Sequence, residues 1–232
     1  MSYSEEEQIE QIKKFWNDYG TALLGGALVA VLAFGGWSYW NTSKLQTASE
    51  ASSLYQAASG AVQKLAANPT DKVAGSELQR DALKVIAEHP KTPYATNAAF
   101  LLAKRAVDVG DLKEAEKQLR WVLDQNPDDG FRSIVTLRLA SVLADKGDVK
   151  GALALLNGDT NAAFQPSRDE LKGDLLKQSG DIEGARKAYQ SVAKTLEARK
   201  DPRPMLDMKM ADVGLDAPEI KRPSPVRNDQ GA

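Results

Sequence analysis

GDLKEA, at residues 110–115, is the stretch that decides the fold, because it returns twice further along the chain. The two echoes are GDVKGA at 147–152 and GDIEGA at 180–185, so that successive copies begin 37 and 33 residues apart. Intervals of this size are typical of repeats built from two antiparallel helices. The recurrence therefore predicts an array of helical hairpins.

Each Gly-Asp pair has a physical role at the turn between two helices. Glycine adopts the left-handed conformation that closes the first helix, and aspartate accepts hydrogen bonds from the free N–H groups that open the second. One helix can thus end and another begin within two residues, which predicts a tight antiparallel pair. After Asp111, Glu114 also predicts a capping box, whereas the other two copies have glycine at that place.

The residues around these turns predict the helices of the array. Alanine and leucine recur at helical spacing from Lys44 to about Lys200, and sustained runs of alternating Val, Ile and Thr are missing. Asn68-Pro69-Thr70 breaks the first helix and Pro93 opens another. The predicted helices lie at 44–67, 72–88, 93–109, 111–125, 129–145, 148–156, 167–178 and 181–199. Because one hairpin cannot bury its apolar face alone, the hairpins are expected to stack into a continuous core.

The first hairpin resembles the tetratricopeptide pattern, in which a small residue opens the second helix and a large residue and a proline follow at fixed spacing. Ala115, Leu119 and Pro127 keep that spacing, whereas the second copy lacks the proline. The third copy is degenerate, with Lys172 in place of the usual leucine. It keeps Gly173, Ala185, Tyr189 and Val192.

An apolar segment precedes the array, TALLGGALVAVLAFGGWSYW at residues 21–40. No residue between Asp18 and Lys44 is charged, and twenty residues at about 1.5 Å each span about 30 Å, the thickness of the hydrocarbon core of a bilayer. Aromatic residues flank the segment on both sides, as is typical of membrane interfaces. They are Trp16, Tyr19, Trp37, Tyr39 and Trp40. We therefore predict a transmembrane helix at residues 19–42.

Two other readings of the apolar segment are a buried helix of a soluble domain and a cleaved signal peptide. Its length and missing charge disfavour the first. A long acidic lead, with bulky Trp37 and Trp40 after the segment, disfavours the second, because signal peptidase requires small residues. Lys13 and Lys14 precede the span and only Lys44 follows closely, so the positive-inside rule predicts a cytoplasmic N-terminus.

The array is predicted at residues 43–200, with flanking segments at both ends of the chain. Residues 1–18 form a short cytoplasmic lead, in which Ser4 and Glu7 predict a capping box. Three interpretations of the lead stay open: it docks on a partner, it lies on the membrane surface, or it is the beginning of the anchor helix. Five prolines follow residue 200, so residues 201–232 are predicted to be a largely disordered tail. Within it, Met205, Leu206, Met208 and Met210 are apolar and can pack back on the last helix first.

Composition excludes several function classes. The net charge of −2 gives no basis for general nucleic-acid binding, and cysteine is absent, which excludes disulfides and thiolate metal sites. One histidine, His89, cannot form a multi-histidine metal site. The sequence contains no G-x-S-x-G, H-E-x-x-H or P-loop motif. We therefore predict no catalytic residue, no cofactor and no metal, and a role in holding other proteins.

The inner surface of a tetratricopeptide array is lined by fixed positions on the first helix of each hairpin. Counting from the Gly-Asp turns, these positions are Asn97, Phe100, Lys104 and Val107, then Ile134, Leu137, Ser141 and Ala144, then Ser167, Glu170, Asp174 and Lys177. Such a surface is apolar toward the middle and charged at one end, which suits a partner segment or a partly unfolded client. The alternative is that the apolar members pack against neighbouring helices.

The whole chain resembles the YfgM family of ancillary Sec translocon subunits. The resemblance rests on the lead EEEQIEQIKKFWNDYG at 5–20, the adjoining Gly/Ala-rich span and the block HPKTPYATNAAFLLAKRAVDVGDLKEAEKQLRWVL at 89–123. It implies a single-pass protein of the bacterial inner membrane with a periplasmic domain. It also implies two partners, the SecYEG channel and the periplasmic chaperone PpiD, and a part in passing secreted proteins to chaperones. The alternative is a scaffold for another envelope assembly or division complex.

Overall fold

Helix is the only regular structure in the residues that the computed structural model describes, 5–199 and 203–216. The α-helices are α1 Glu5–Ala67, α2 Lys72–Glu88, α3 Pro93–Asp108, α4 Leu112–Asp124, α5 Asp129–Asp145, α6 Val149–Gly158, α7 Gln165–Gln178, α8 Ile182–Arg199 and α9 Pro204–Ala211, with a 3-10 turn at Ala162–Phe164. The all-α class is confirmed. The bounds of α2 to α8 lie within two residues of the predicted ones, and the helix predicted at 44–67 is continuous with the anchor.

The chain divides into two units, Met1–Ser53 and Leu54–Ala232. The described part of the first unit is the N-terminal portion of α1, which passes through the predicted lead and anchor without a break. In the part of the chain that is described, α1 is the one helix long and apolar enough to cross a membrane. Its large apolar side chains between Leu23 and Trp40 are exposed, which fits a hydrocarbon environment better than the buried helix of a soluble domain. Ser4 of the predicted capping box lies outside the described residues.

The three Gly-Asp turns have the conformation that their sequence predicts. The φ angles are 79° at Gly110, 89° at Gly147 and 86° at Gly180. At the first turn the Asp111 N–H donates to the Ala106 carbonyl at 2.8 Å and the Gly110 N–H to the Val107 carbonyl at 3.0 Å, and the other two turns repeat this pair of bonds. This is the Schellman arrangement, which satisfies the last carbonyls of the first helix.

The aspartate of each turn opens the following helix. The side chains of Asp111, Asp148 and Asp181 accept from the N–H three residues on, at 3.0, 2.8 and 2.8 Å. The second half of the predicted capping box does not form, because the Asp111 N–H is already donated to Ala106. Glu114 instead accepts from Gln118 at 2.7 Å.

The hairpins are held together by apolar clusters, two of which lie among the described residues. The first cluster joins α3, α4, α5 and α6 and includes Ala103, Leu119, Leu139, Ala140 and Leu156. In each of these hairpins the cluster includes an alanine of the first helix and a leucine of the second. The second cluster joins α8 to α9, where Leu206, Met210 and Val213 are buried against Tyr189, Val192 and Leu196.

The folded unit extends past the boundary predicted at residue 200. Helix α9 lies within the stretch predicted to be a disordered tail, and it packs on α8 because its apolar side chains complete the second cluster. It ends in a further glycine turn, where Gly214 has φ of 73° and the Leu215 N–H donates to the Met210 carbonyl at 2.9 Å. The remaining residues of the predicted tail, 201–202 and 217–232, lie outside the described residues.

Candidate partner-binding surface

The first helix of the first hairpin, α3, presents its predicted positions to different degrees. Asn97 and Lys104 are exposed, and Val107 is 41% exposed. Phe100 is half-buried, with its ring centroid 5.8 Å from that of Phe131 on α5. The Lys104 ammonium bonds to Asp108 at 2.8 Å, one helical turn away. The face therefore offers a valine and an amide, together with a charge that is already paired.

The corresponding helix of the second hairpin, α5, is more buried. Ile134 is 36% exposed, whereas Ala144 is only 6% exposed and belongs to the core. Leu137 is half-buried against the same core, and the Ser141 hydroxyl donates to its carbonyl at 3.1 Å. The expectation that Ala144 lies on the surface is therefore wrong, because α5 is packed between neighbouring helices on more than one side.

A cavity of about 520 Å³ opens where the N-terminal ends of α3 and α5 come together. It is lined by Pro90, Lys91, Thr92, Pro93, Thr96, Asn97, Gln125, Pro127, Asp128 and Phe131. Three prolines and a phenyl ring make its walls apolar, and Asn97 and Thr96 add groups that can hydrogen-bond to a peptide backbone. Of these residues only Asn97 was predicted as a partner contact. Two further lining residues, Pro93 and Pro127, were noted in the sequence for other reasons, as a helix start and as part of the repeat pattern.

The predicted charged end of the surface is covered by α9. Glu170 bonds to Arg203 at 3.2 Å and to Lys209 at 2.8 Å, and Asp174 bonds to Lys209 at 2.7 Å. Lys177 bonds to Asp212 at 2.8 Å. These three positions share one helix face, as their spacing predicts, but that face holds α9. Their charges are thus neutralised within the chain.

Tyr189 and Lys209 reinforce this polar seam between α7, α8 and α9. The Tyr189 hydroxyl donates to Asp174 at 2.8 Å. Burial, and then the hydrogen bond to Asp174, raise the pKa of Tyr189 above its ordinary value. Burial alone would lower the pKa of Lys209, but the hydrogen bonds to Asp174 and Glu170 outweigh it and the pKa is raised. Both groups therefore hold their protons more tightly in the folded chain.

The acidic side chains near the surface act as helix caps or ion-pair partners. Asp128 accepts from the Phe131 N–H at 2.9 Å and so caps α5. In the described ranges, 5–199 and 203–216, no three His, Asp or Glu side chains gather in a way that could hold a metal ion. The arrangement can thus bind a polypeptide through apolar walls and backbone-directed polar groups.

Comparisons with known proteins give a consistent result. The model of the tetratricopeptide repeat-like domain family matches residues 13–215. The chain is similar to the ancillary SecYEG translocon subunit of Escherichia coli strain K12, with 31% identity over 192 residues, 83% of this chain and 88% of that protein. It is also similar to the proteins of that name from Haemophilus influenzae, with 30% identity over 83% of this chain and 91% of that one, and from Neisseria gonorrhoeae, with 25% over 89% and 95%.

Proposed function

The chain belongs to the tetratricopeptide repeat-like YfgM family of ancillary SecYEG translocon subunits, and on that premise we propose that it is a membrane-anchored interaction subunit at the Sec translocon. In this role it helps pass translocated proteins to periplasmic chaperones. The role is non-catalytic: the chain holds a partner and positions it.

The proposal rests on one observation: α3 and α5, which are packed in the helical array, expose apolar and polar side chains on their surface. The same chain has a candidate membrane span. Val107 and Ile134 on this surface are partly exposed although both are apolar, and the cavity beside Phe131 continues it. Exposed apolar side chains on a rigid scaffold are typical of protein-binding surfaces. A membrane tether raises the effective concentration of such a surface near its partner.

The partners in this proposal are the SecYEG channel and the membrane-anchored chaperone PpiD. SecYEG appears in the names of the relatives, whereas the family resemblance alone supports PpiD as a partner. The array lies in the periplasm and the N-terminus in the cytoplasm, because Lys13 and Lys14 precede the span and positive charges favour the cytoplasmic side.

The test is co-purification of the full chain from membranes dissolved in mild detergent, with SecY and PpiD measured by quantitative mass spectrometry. Both should be enriched over their recovery with an unrelated single-span protein of equal abundance. Equal recovery of SecY in the two samples would overturn the proposal. Enrichment of a division or envelope-assembly complex in place of SecY would favour the scaffold alternative.

A further inference from the structure

We propose that α9 adds a methionine-lined section to the partner-binding surface, and that this section binds apolar segments of partly unfolded polypeptides. The proposal rests on the proposed function, since it names the class of chain that the same surface takes. It concerns Met205 and Met208, which lie beyond the predicted end of the array.

Helix α9 occupies the place of the first helix of a fourth hairpin. Its bonds to α7 advance in the same direction along both helices, from Glu170 with Arg203 to Lys177 with Asp212, as expected for successive first helices of stacked hairpins. It also ends in the turn that closes α3, α5 and α7. At Gly214 φ is 73°, and the N–H of Gly214 donates to the Ala211 carbonyl at 2.9 Å.

The register of that turn assigns Met208 to a partner-binding position. Met208 precedes Gly214 by six residues, as Lys104 precedes Gly110, Ser141 precedes Gly147 and Asp174 precedes Gly180. Met208 is 66% exposed and Met205, one turn earlier on the same face, is 63% exposed. Their opposite neighbours Leu206 and Met210 are buried against α8. The helix is thus anchored by one face and presents two thioether side chains on the other.

The charged side chains at the predicted partner-binding positions are already paired within the chain, and this favours an apolar partner over a charged one. Lys104 bonds to Asp108, Asp174 to Lys209 and Lys177 to Asp212, each at 2.7 to 2.8 Å. A charged partner would have to break these pairs and gains little from them, whereas an apolar segment can bury the methionines and leave the pairs intact. Methionine is flexible and polarisable, so it adapts to apolar segments of different shape. The surface with Met205 and Met208 therefore suits polypeptides that share apolar segments but have no common sequence.

The methionines provide their own probe. The chain contains four methionines, so the full protein can be labelled with ¹³C at the methionine methyl groups and reconstituted in lipid nanodiscs. The ligand is a reduced and carboxymethylated polypeptide that cannot fold, with its native disulfide-bonded form and empty nanodiscs as controls. We expect the Met205 and Met208 signals to shift on adding the unfolded form, while the signal of buried Met210 stays in place. Binding of the unfolded form without these shifts would overturn the proposal.

The free protein is tested first with a soluble nitroxide, which broadens the signals of exposed methyl groups. Broadening of Met205 and Met208 is expected. Protection of both in the free protein would mean that another part of the chain or a second copy covers them, and the proposal would then be wrong.

A pair of double variants completes the test. M205S/M208S should weaken binding of the unfolded polypeptide about tenfold, which corresponds to about 1.4 kcal/mol, and M205L/M208L should restore most of it. Since both side chains are exposed, neither variant should change the melting temperature. Recovery of SecY with the wild-type chain tests the proposed function by itself, so a failure of the α9 proposal and a failure of the proposed function can be told apart. Equal affinity of the serine variant and the wild type would overturn the proposal.

Discussion

The ring of Tyr189 lies so close to Gly173 that a Cβ at residue 173 would stand 2.4 Å from Cε1 of the tyrosine. In the first two hairpins the same two positions hold Ala103 with Leu119 and Ala140 with Leu156. The third hairpin therefore combines a smaller residue on α7 with a larger one on α8. The exchange lets the Tyr189 hydroxyl reach Asp174, so this departure from the pattern builds the polar seam that holds α9.

Replacing Gly173 with alanine should destabilise the array, because the new methyl group overlaps the Tyr189 ring. Overpacking of this kind costs about 1–3 kcal/mol, measured as the loss of free energy of unfolding in denaturant. The double variant G173A/Y189L reproduces the pairing of the other hairpins and should recover part of that loss. The matched control is Gly60→Ala in α1, where a Cβ meets nothing within 4 Å. A G173A protein as stable as the wild type would contradict the close approach of α7 and α8.

Replacing Gly147 with valine should also destabilise the array, for a reason that lies in the backbone. The φ of Gly147 is 89°, a region that a β-branched residue occupies at a cost of about 1–3 kcal/mol. Thermal unfolding followed by circular dichroism measures the effect. Gly158→Val is the control, since a Cβ there also meets nothing within 4 Å and the φ is not positive. Equal melting temperatures of the two variants would show that the turn tolerates side chains.

Stability should fall as the pH rises past about 10, and Tyr189 should contribute to the fall. The ordinary pKa values are 10.0 for tyrosine and 10.5 for lysine, and those of Tyr189 and Lys209 are raised in the fold. Above the ordinary values the unfolded chain has released protons that the folded chain retains, so the free energy of unfolding decreases with pH. These two groups contribute their full stabilisation at a pH below their ordinary pKa values. The stabilisation is lost as the pH rises through the raised pKa values of the folded chain.

The variant Tyr189→Phe isolates this contribution. It removes the titrating hydroxyl and keeps the ring, so its free energy of unfolding should depend less steeply on pH above about 10 than that of the wild type. Tyr55→Phe is the control, because Tyr55 lies on α1 outside the seam. The same slope for Y189F and the wild type would count against a Tyr189 hydroxyl held by Asp174.

Serine at Val107 and Ile134 should weaken partner binding and leave the fold intact. Both side chains are partly exposed, so their removal takes apolar area from the surface and leaves the core untouched. We expect recovery of PpiD with the full chain to fall about fivefold, or about 1 kcal/mol. Val73→Ser is the control, because Val73 is 69% exposed but lies on α2, outside the predicted positions. If the V107S/I134S protein melts normally and recovers PpiD as well as the wild type, these two residues do not contribute to partner binding.

The sequence by itself determined the local features of this protein. The three turns could be predicted because the left-handed φ of Gly110, Gly147 and Gly180 and the caps of the following aspartates depend on residues close in the chain. The helix bounds follow from the same turns and from prolines such as Pro93. The candidate membrane span follows from length and composition alone.

Only the tertiary structure decided which predicted positions are open to a partner. Val107 and Ala144 occupy the same place in their hairpins, yet one is exposed and the other is core, because burial depends on which helices lie beside α3 and α5. The apolar residues of α9 predicted that this segment could pack on the last helix, but they did not predict which groups of α7 it pairs with. Its apolar side chains complete the cluster of α8, and Lys209 pairs with Glu170 and Asp174, 39 and 35 residues earlier. Contacts across such separations leave no periodic signal in the sequence. The sequence therefore did not show that α9 covers the predicted charged end of the surface.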